Sequence, residues 1–136
     1  MTLTPLIAVH ATAATGALVL GPFALWARLG RIQRPILHRA LGYAWVTLMI
    51  LAAGSAIFIR DREIPNIWGY TPIHLFVALT AYGLVGAFWS LAEGRIDAHR
   101  RYMQSLYLGA CVTAGVFTLL PGRLIGGWLW KDVFGL

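Results

Sequence analysis

Residues 5–27 have the sequence PLIAVHATAATGALVLGPFALWA, which contains no charged side chain. A helix needs about 20 apolar residues to cross a bilayer, and this segment is long enough. A secretory signal peptide would begin with a basic region and end at a small-residue cleavage site. Neither feature is present, so the segment is predicted to be a retained membrane span.

The composition of the whole chain agrees with this first helix. The 136 residues are 59% hydrophobic and only 12% charged, with a mean hydropathy of +0.71, whereas soluble domains carry about a quarter charged residues. A net charge of +6 would indicate nucleic acid binding in a soluble protein. Here the basic residues lie between apolar segments, where they set membrane topology, so nucleic acid is not an expected partner. The single cysteine, Cys111, excludes an internal disulfide and any CxxC site for zinc, redox chemistry or covalent haem.

Three more apolar segments follow, and all four are bounded by proline, glycine or charged residues. Each is too long for a strand, so helices are predicted. The predicted fold class is therefore all-α, a transmembrane four-helix up-down bundle that forms one integral membrane domain over residues 1–136. The predicted spans are residues 5–27, 36–59, 72–92 and 99–120, and residues 121–136 are predicted to form an interfacial tail.

The basic residues predict the orientation of the bundle. Seven arginines flank the first and third connections, whereas four basic residues lie at the other end beside Asp61, Glu63 and Asp132. An excess of Lys and Arg marks the cytoplasmic side, so both termini are predicted to lie outside the bacterial inner membrane. The seven are Arg28, Arg31, Arg34, Arg39, Arg95, Arg100 and Arg101, and the four are Arg60, Arg62, Arg123 and Lys131.

Each predicted helix carries one histidine. His10 and His74 fall near the outer ends of helices one and three, and His38 and His99 near the inner ends of helices two and four. Alternate helices lie diagonally across an up-down bundle, so the pairs are predicted to face each other in two layers roughly 20 Å apart. A six-coordinate haem b takes two neutral imidazoles on opposite faces of a flat macrocycle. The four histidines are therefore predicted to be the metal ligands of two haem b groups.

Neighbouring residues fit the same hypothesis. Side chains at helical spacing from the histidines are mostly small, which leaves space for a macrocycle; they are Ala14, Ala17, Gly21, Gly42, Ala78 and Ala81, with the bulkier Met103 and Leu106 after His99. Haem propionates are expected to pair with Arg39, Arg100 and Arg101 at the inner site and with Arg123 at the outer site. Pro22 is predicted to kink the first helix and free a carbonyl. If only one haem binds, the outer pair is expected to hold it because it is better buried.

Four motifs carry a resemblance to known proteins: Gly21-Pro22-Phe23, His38-Arg39-x-x-Gly42-Tyr43, His99-Arg100-Arg101-x-Met103 and Pro121-Gly122-Arg123. With them the chain resembles, over nearly its whole length, a widespread family of small bacterial membrane proteins grouped as a domain of unknown function. That resemblance implies four membrane helices and no particular activity. The architecture is also similar to the di-haem transmembrane cytochromes b, ascorbate- and quinol-linked electron carriers that use one histidine on each of four helices. Leu37–Gly42 is similar to their His-x-x-Leu-Gly stretch, but their flanking helices and ascorbate-site basic motifs are missing.

Three functions are compatible with these features. The predicted one is a di-haem b-type electron carrier or membrane oxidoreductase linked to a quinol or another reductant, with quinone as a candidate further cofactor, because intramembrane ionisable residues mark functional sites. The alternative is a haem-free accessory or assembly subunit of a respiratory or photosynthetic complex, in which the small residues serve helix packing. A transporter or proton channel with a histidine relay is disfavoured because the spans contain no Asp or Glu. The candidate partners are the lipid bilayer, a quinol, such a membrane complex and a second copy of the chain.

Overall fold

A computed structural model of the chain describes residues 3–60 and 67–135. These residues form helices and no β-strand, which confirms the all-α prediction. The first three long helices are α1 (Pro5–Trp26), α2 (Pro35–Phe58) and α3 (Leu75–Ala92), with a 3-10 turn at Pro72–His74 before α3. A fourth helical rod consists of α4 (Ile96–Ser105), a π-helical segment (Leu106–Val112) and α5 (Thr113–Thr118), and the chain continues with α6 (Leu124–Trp128) and a second π-helical segment (Leu129–Val133). Asp61, Arg62 and Glu63, which contribute to the predicted charge asymmetry, lie outside the described residues.

Proline residues fix where the helical segments begin. Pro5, Pro35 and Pro72 each occupy the first turn of a helical segment. Proline is suited to this position because its φ angle is already helical and its missing N–H would have no helical partner there. The fourth rod begins at Ile96 rather than at residue 99, and Asp97 lies in its first turn. A carboxylate is favourable at that end because it faces the positive end of the helix dipole.

α1 and α2 form an antiparallel pair that three ring-to-backbone hydrogen bonds hold in register. The bonds join His10 Nδ1 to the Ala52 carbonyl at 2.9 Å, Trp45 Nε1 to the Ala17 carbonyl at 3.0 Å, and His38 Nδ1 to the Ala24 carbonyl at 2.7 Å. Along α1 the bonded positions rise from 10 to 17 to 24, and along α2 they fall from 52 to 45 to 38. Each step is about two helical turns. All three acceptors are alanines, whose small side chains let a ring reach the backbone.

α3 packs against the fourth rod at two glycines. A Cβ atom on Gly83 would lie 2.5 Å from Leu106 Cδ2, and one on Gly86 would lie 2.5 Å from Tyr102 Cε1. The helices can approach this closely only because those positions carry no side chain. α2 also contacts α3, and α1 contacts the first π-helical segment and α5.

The rings of Trp45 and Tyr107, which we call the aromatic layer, both lie beside Gly21, next to the proline of α1. Pro22 has no N–H to donate to the carbonyl of Leu18 one turn earlier, and the Tyr107 hydroxyl donates to that carbonyl at 2.9 Å. The carbonyl that Pro22 was predicted to free is therefore bonded to a side chain. A Cβ atom on Gly21 would overlap the Tyr107 ring and lie 3.2 Å from Trp45 Nε1. The aromatic layer packs into the buried core formed by Ala17, Met49, Leu106, Ala110 and Cys111.

The surface of the long helices is apolar. Three helical segments of the described chain are long and apolar enough to cross a membrane, namely Pro5–Trp26, Pro35–Phe58 and Pro72–Ala92. Large apolar side chains such as Val19, Ile50 and Val85 are more than half exposed on them. Exposed apolar surface of this extent is unfavourable in water and favourable in hydrocarbon. The chain is therefore a membrane protein, and at least these three of its helices are long and apolar enough to cross a bilayer.

Two histidine cavities as the candidate functional site

The first cavity, which we call the inner cavity, lies where α1 ends and α2 and α4 begin. Its volume is about 650 Å³, which falls within the range of small-molecule sites. His38 and His99 both line it, together with Gly21, Gly42 and Met103. The structure thus brings the two histidines of the predicted inner pair to one cavity.

A backbone carbonyl of a neighbouring helix holds each inner imidazole. His38 Nδ1 lies 2.7 Å from the Ala24 oxygen, and His99 Nδ1 lies 2.9 Å from the Ala87 oxygen. A carbonyl can only accept a hydrogen bond, so each neutral ring carries its proton on Nδ1 and keeps a lone pair on Nε2. Neither Nε2 atom has a hydrogen-bond partner among the described residues. Metal-ligating histidines are oriented in this way by a bond from the other ring nitrogen.

The inner cavity is basic at its rim. Arg28, Arg39 and Arg100 line it, and its described lining contains no acidic residue. Glu93, at the end of α3, already accepts from the Trp89 indole at 2.8 Å and pairs with Arg95. These two contacts, the Trp89 hydrogen bond first, hold the pKa of Glu93 below its ordinary value. The positive charge of the rim therefore fits an anionic ligand group such as a carboxylate.

The second cavity, the outer cavity, lies at the opposite end and has a volume of about 540 Å³. It is lined by His10, His74 and Arg123 among mostly apolar residues. His10 Nδ1 lies 2.9 Å from the Ala52 carbonyl oxygen and 3.2 Å from Ser55 Oγ. Its neutral ring is therefore the same tautomer as the inner rings, with the proton on Nδ1 and a lone pair on Nε2.

His74 is bonded differently from the other three histidines. The Thr71 N–H donates to His74 Nδ1 at 3.0 Å, so the ring proton lies on Nε2, which donates to the Ile59 carbonyl at 3.0 Å. The Tyr70 ring stands edge-on to the imidazole with centroids 5.1 Å apart. His74 also lies in the 3-10 turn before α3 rather than within the long helix, because Thr71 caps that turn. The structure brings His74 to the outer cavity but leaves neither of its ring nitrogens free.

The 3-10 turn also changes which residues follow His74 into the outer cavity. Ala78 and Ala81, predicted to share its face, are exposed and do not line the cavity. Val77 and Thr80 line it instead. A 3-10 turn has about three residues per turn rather than 3.6, so the face shifts along the sequence.

The number of histidines at the inner cavity limits which metal group it could hold. Residues 3–60 and 67–135 contain no group of three or more His, Cys, Asp or Glu side chains that could hold a bare metal ion. Haem iron needs only two protein ligands, because the macrocycle supplies the remaining donors. The inner pair supplies two free Nε2 atoms to one cavity, which is the number of protein ligands that six-coordinate haem iron takes.

Comparison with known proteins identifies the family. Residues 7–128 match a family model described as "Predicted membrane protein (DUF2306)". The chain belongs to this family. The matched region of this DUF2306 member includes all four histidines. No curated protein and no solved structure matches the chain.

The sequence predicted some lining residues of this DUF2306 member and missed others. Arg39 and Arg100 line the inner cavity and Arg123 lines the outer one, whereas Arg101 lies on neither lining. Arg28 was not predicted as a site residue, although it lines the inner cavity from the connection after α1. The only sequence feature that points to Arg28 is its position in an arginine-rich connection, and the other arginines of that connection have the same feature. The sequence also did not predict that the two rings of the aromatic layer line the inner cavity. Leu18 and Met49 line the outer cavity instead.

Proposed function

We propose that the protein is a transmembrane haem b electron carrier and that the inner cavity is its principal haem site. The observation that carries the proposal is the state of His38 and His99. Both rings line one cavity, both donate Nδ1–H to a carbonyl of a neighbouring helix, and both keep Nε2 free. Two such imidazoles on different helices are the protein ligands that a six-coordinate haem requires.

The chain's own residues would set the properties of this site. The carbonyls of Ala24 and Ala87 hold the imidazole rings and keep their protons on Nδ1, which makes Nε2 more basic as a ligand. Trp45 and Phe88 contribute apolar lining, which excludes water. Iron with two imidazole ligands has no open position, so a bound haem would supply one-electron transfer rather than oxygen chemistry.

The rim arginines support an inner haem as well. Haem carries two propionate groups, and guanidinium groups bind carboxylates through paired hydrogen bonds. Arg28, Arg39 and Arg100 line the same cavity as the two histidines. We assign them to the propionates, with Arg28 added to the set expected from sequence.

A second haem between His10 and His74, with Arg123 near its propionates, remains a prediction. It requires His74 to give up two hydrogen bonds, the Nε2–H bond to the Ile59 carbonyl and the bond that Nδ1 accepts from the Thr71 N–H, because a ligating Nε2 places the ring proton on Nδ1. Each such bond contributes about 0.5–1.5 kcal/mol, so binding would have to offset a cost of about 1–3 kcal/mol. This geometry favours the inner pair if only one haem binds, which reverses the expectation from sequence.

The proposal includes the arrangement in the membrane. We propose that the fourth rod is a fourth span, so that the chain forms a four-helix up-down bundle in the bacterial inner membrane with both termini outside. The contacts of α1 with α2 and the fourth rod, and of α3 with α2 and the fourth rod, support this arrangement. A quinol-type donor, an acceptor on either side, a respiratory or photosynthetic complex and a second copy of the chain are the proposed partners.

The experiment is a visible spectrum of the protein purified from haem-replete cells. We expect Soret and alpha bands that sharpen on reduction. His38→Gln and His99→Gln should each remove the inner haem, because the amide can still donate to the neighbouring carbonyl but is a poor ligand for haem iron. His74→Gln is the matched control and should leave the inner haem in place.

Three outcomes separate the alternatives. One haem per chain that depends on His38 and His99 supports the inner site alone. Two haems per chain, one of which depends on His10 and His74, support the di-haem form. A folded protein without reducible bands contradicts the proposal and favours the haem-free accessory subunit.

A further inference from the structure

We propose that the outer cavity is a binding site for a lipid-soluble hydroquinone, with His10 Nε2 accepting a hydrogen bond from a ring hydroxyl. The binding itself does not require haem in the inner cavity. Only the use of the bound hydroquinone as an electron donor rests on the proposed function.

The walls of the outer cavity fit a flat apolar ring. Small side chains from three helical segments line it, among them Ala11, Ala14, Ala53, Ala56 and Ala114. Larger apolar groups such as Phe76 and Val77 complete the lining. With a volume of about 540 Å³, the cavity lies within the range of small-molecule sites.

Part of the outer-cavity lining is continuous with the exposed apolar surface of the protein. The lining includes Val116, Leu119 and Ile125, which are also exposed on the apolar surface. A ligand that reaches the cavity past these three side chains crosses apolar surface, and Arg123 is the charged residue on the same lining. Such a path favours neutral molecules dissolved in the bilayer over water-soluble ones.

His10 gives this apolar cavity a hydrogen-bond acceptor. The Ala52 carbonyl fixes the His10 proton on Nδ1, and Nε2 has no partner among the described residues. Two lining hydroxyls are already engaged, since Thr80 donates to the Phe76 carbonyl and Thr118 donates to the Gly115 carbonyl. An unpartnered polar atom beside apolar surface loses hydrogen-bonding energy, so a ligand that donates to it is stabilised.

The hydrogen bonds of His74 in this structure favour a hydroquinone over a haem in the outer cavity. Its Nδ1 accepts from Thr71 and its Nε2 donates to Ile59, so it offers no second ligand to iron. A hydroquinone needs only one acceptor and apolar walls. Its hydroxyl is the donor that His10 lacks, and its substituted ring fits the alanine-lined walls.

The experiment measures binding to the protein in lipid nanodiscs without oxygen. The probe is tetramethylhydroquinone, and the control ligand is its dimethyl ether, which has the same ring and no hydroxyl donor. We expect His10→Phe to weaken the Kd for the hydroquinone about tenfold, which is the order of one lost hydrogen bond. The ether should bind wild type and His10→Phe alike. The matched control Gly54→Ala, on neither cavity lining and with open space around its new Cβ, should leave hydroquinone binding unchanged.

A second variant tests the same cavity in case His10→Phe does not fold. Ala14→Leu keeps His10 and fills part of the outer cavity, and it should weaken the binding of both ligands. Equal Kd values for wild type, His10→Phe and Ala14→Leu would overturn the proposal, as would a haem that depends on His10 and His74. The visible spectrum distinguishes this failure from failure of the proposed function: a haem-free protein whose hydroquinone binding depends on His10 contradicts the electron carrier and supports the hydroquinone site.

Discussion

Replacing Gly21 by alanine tests the packing of the aromatic layer between the two cavities. The new Cβ would overlap the Tyr107 ring and lie 3.2 Å from Trp45 Nε1, so the tyrosine must move. Such overpacking costs about 1–3 kcal/mol. Movement of the ring also breaks the 2.9 Å bond from the Tyr107 hydroxyl to the Leu18 carbonyl, and a buried carbonyl without a partner costs about 1–3 kcal/mol more. Alanine recovers about 1 kcal/mol through its higher helix propensity, which leaves a net loss of about 1–5 kcal/mol.

The assay is unfolding of the protein in detergent micelles by added sodium dodecyl sulfate, followed by far-ultraviolet circular dichroism. Gly54→Ala on α2 is the matched control, because a Cβ there has no heavy atom within 4 Å, and it should be neutral or stabilising by up to about 1 kcal/mol. In a Tyr107→Ala background, Gly21→Ala should lose most of its cost, since the ring it overlaps is gone. The reasoning is refuted if Gly21→Ala is as stable as Gly54→Ala, or if its cost is the same in both backgrounds.

Three further predictions concern other parts of the molecule. Tyr107→Phe should lower the stability by about 1–2 kcal/mol in the same unfolding assay, and by less in a Pro22→Ala background, where residue 22 regains an N–H for the Leu18 carbonyl; equal costs in the two backgrounds would contradict this. Arg28→Gln should speed the loss of the inner haem to excess apomyoglobin several-fold, whereas Arg101→Gln, which is not on the cavity lining, should not; identical rates would remove Arg28 from the site. In a Cys111→Ala background, a single cysteine at residue 31 should react with an impermeant thiol reagent only when the cytoplasmic side is accessible, and labelling of intact cells would reverse the proposed topology.

The sequence by itself determined the long helical segments and the all-α fold class. The uncharged segment from residue 5 to residue 27 is long enough for a span without any information about its neighbours, and the structure has α1 at Pro5–Trp26. Proline at a helix start acts through its own φ angle and missing N–H, so Pro35 and Pro72 mark boundaries locally. The freed carbonyl near Pro22 is equally local, because it depends on one residue and the helix around it.

Part of the candidate site was also predictable, because histidines near matching ends of antiparallel helices must lie at the same level. His38 and His99 line one cavity and His10 and His74 line the other; that either pair binds a metal stays a prediction. The Thr71-Pro72 pair was a further local signal, typical of a helix start, that could have placed His74 in a cap.

The tertiary structure alone decided which ring nitrogens are free. The protonation of each imidazole depends on the carbonyl it meets, and that carbonyl belongs to another helix: Ala24 for His38 and Ala87 for His99. Hydropathy and periodicity specify the face of a helix but not its register against a neighbour. That register is set by interhelical contacts such as the close approach at Gly21, where a side chain of any size would displace Tyr107. The cap that sets His74 apart is local, because Thr71 lies three residues away, but the free Nε2 atoms of the other three histidines could be known only once the helices had been packed.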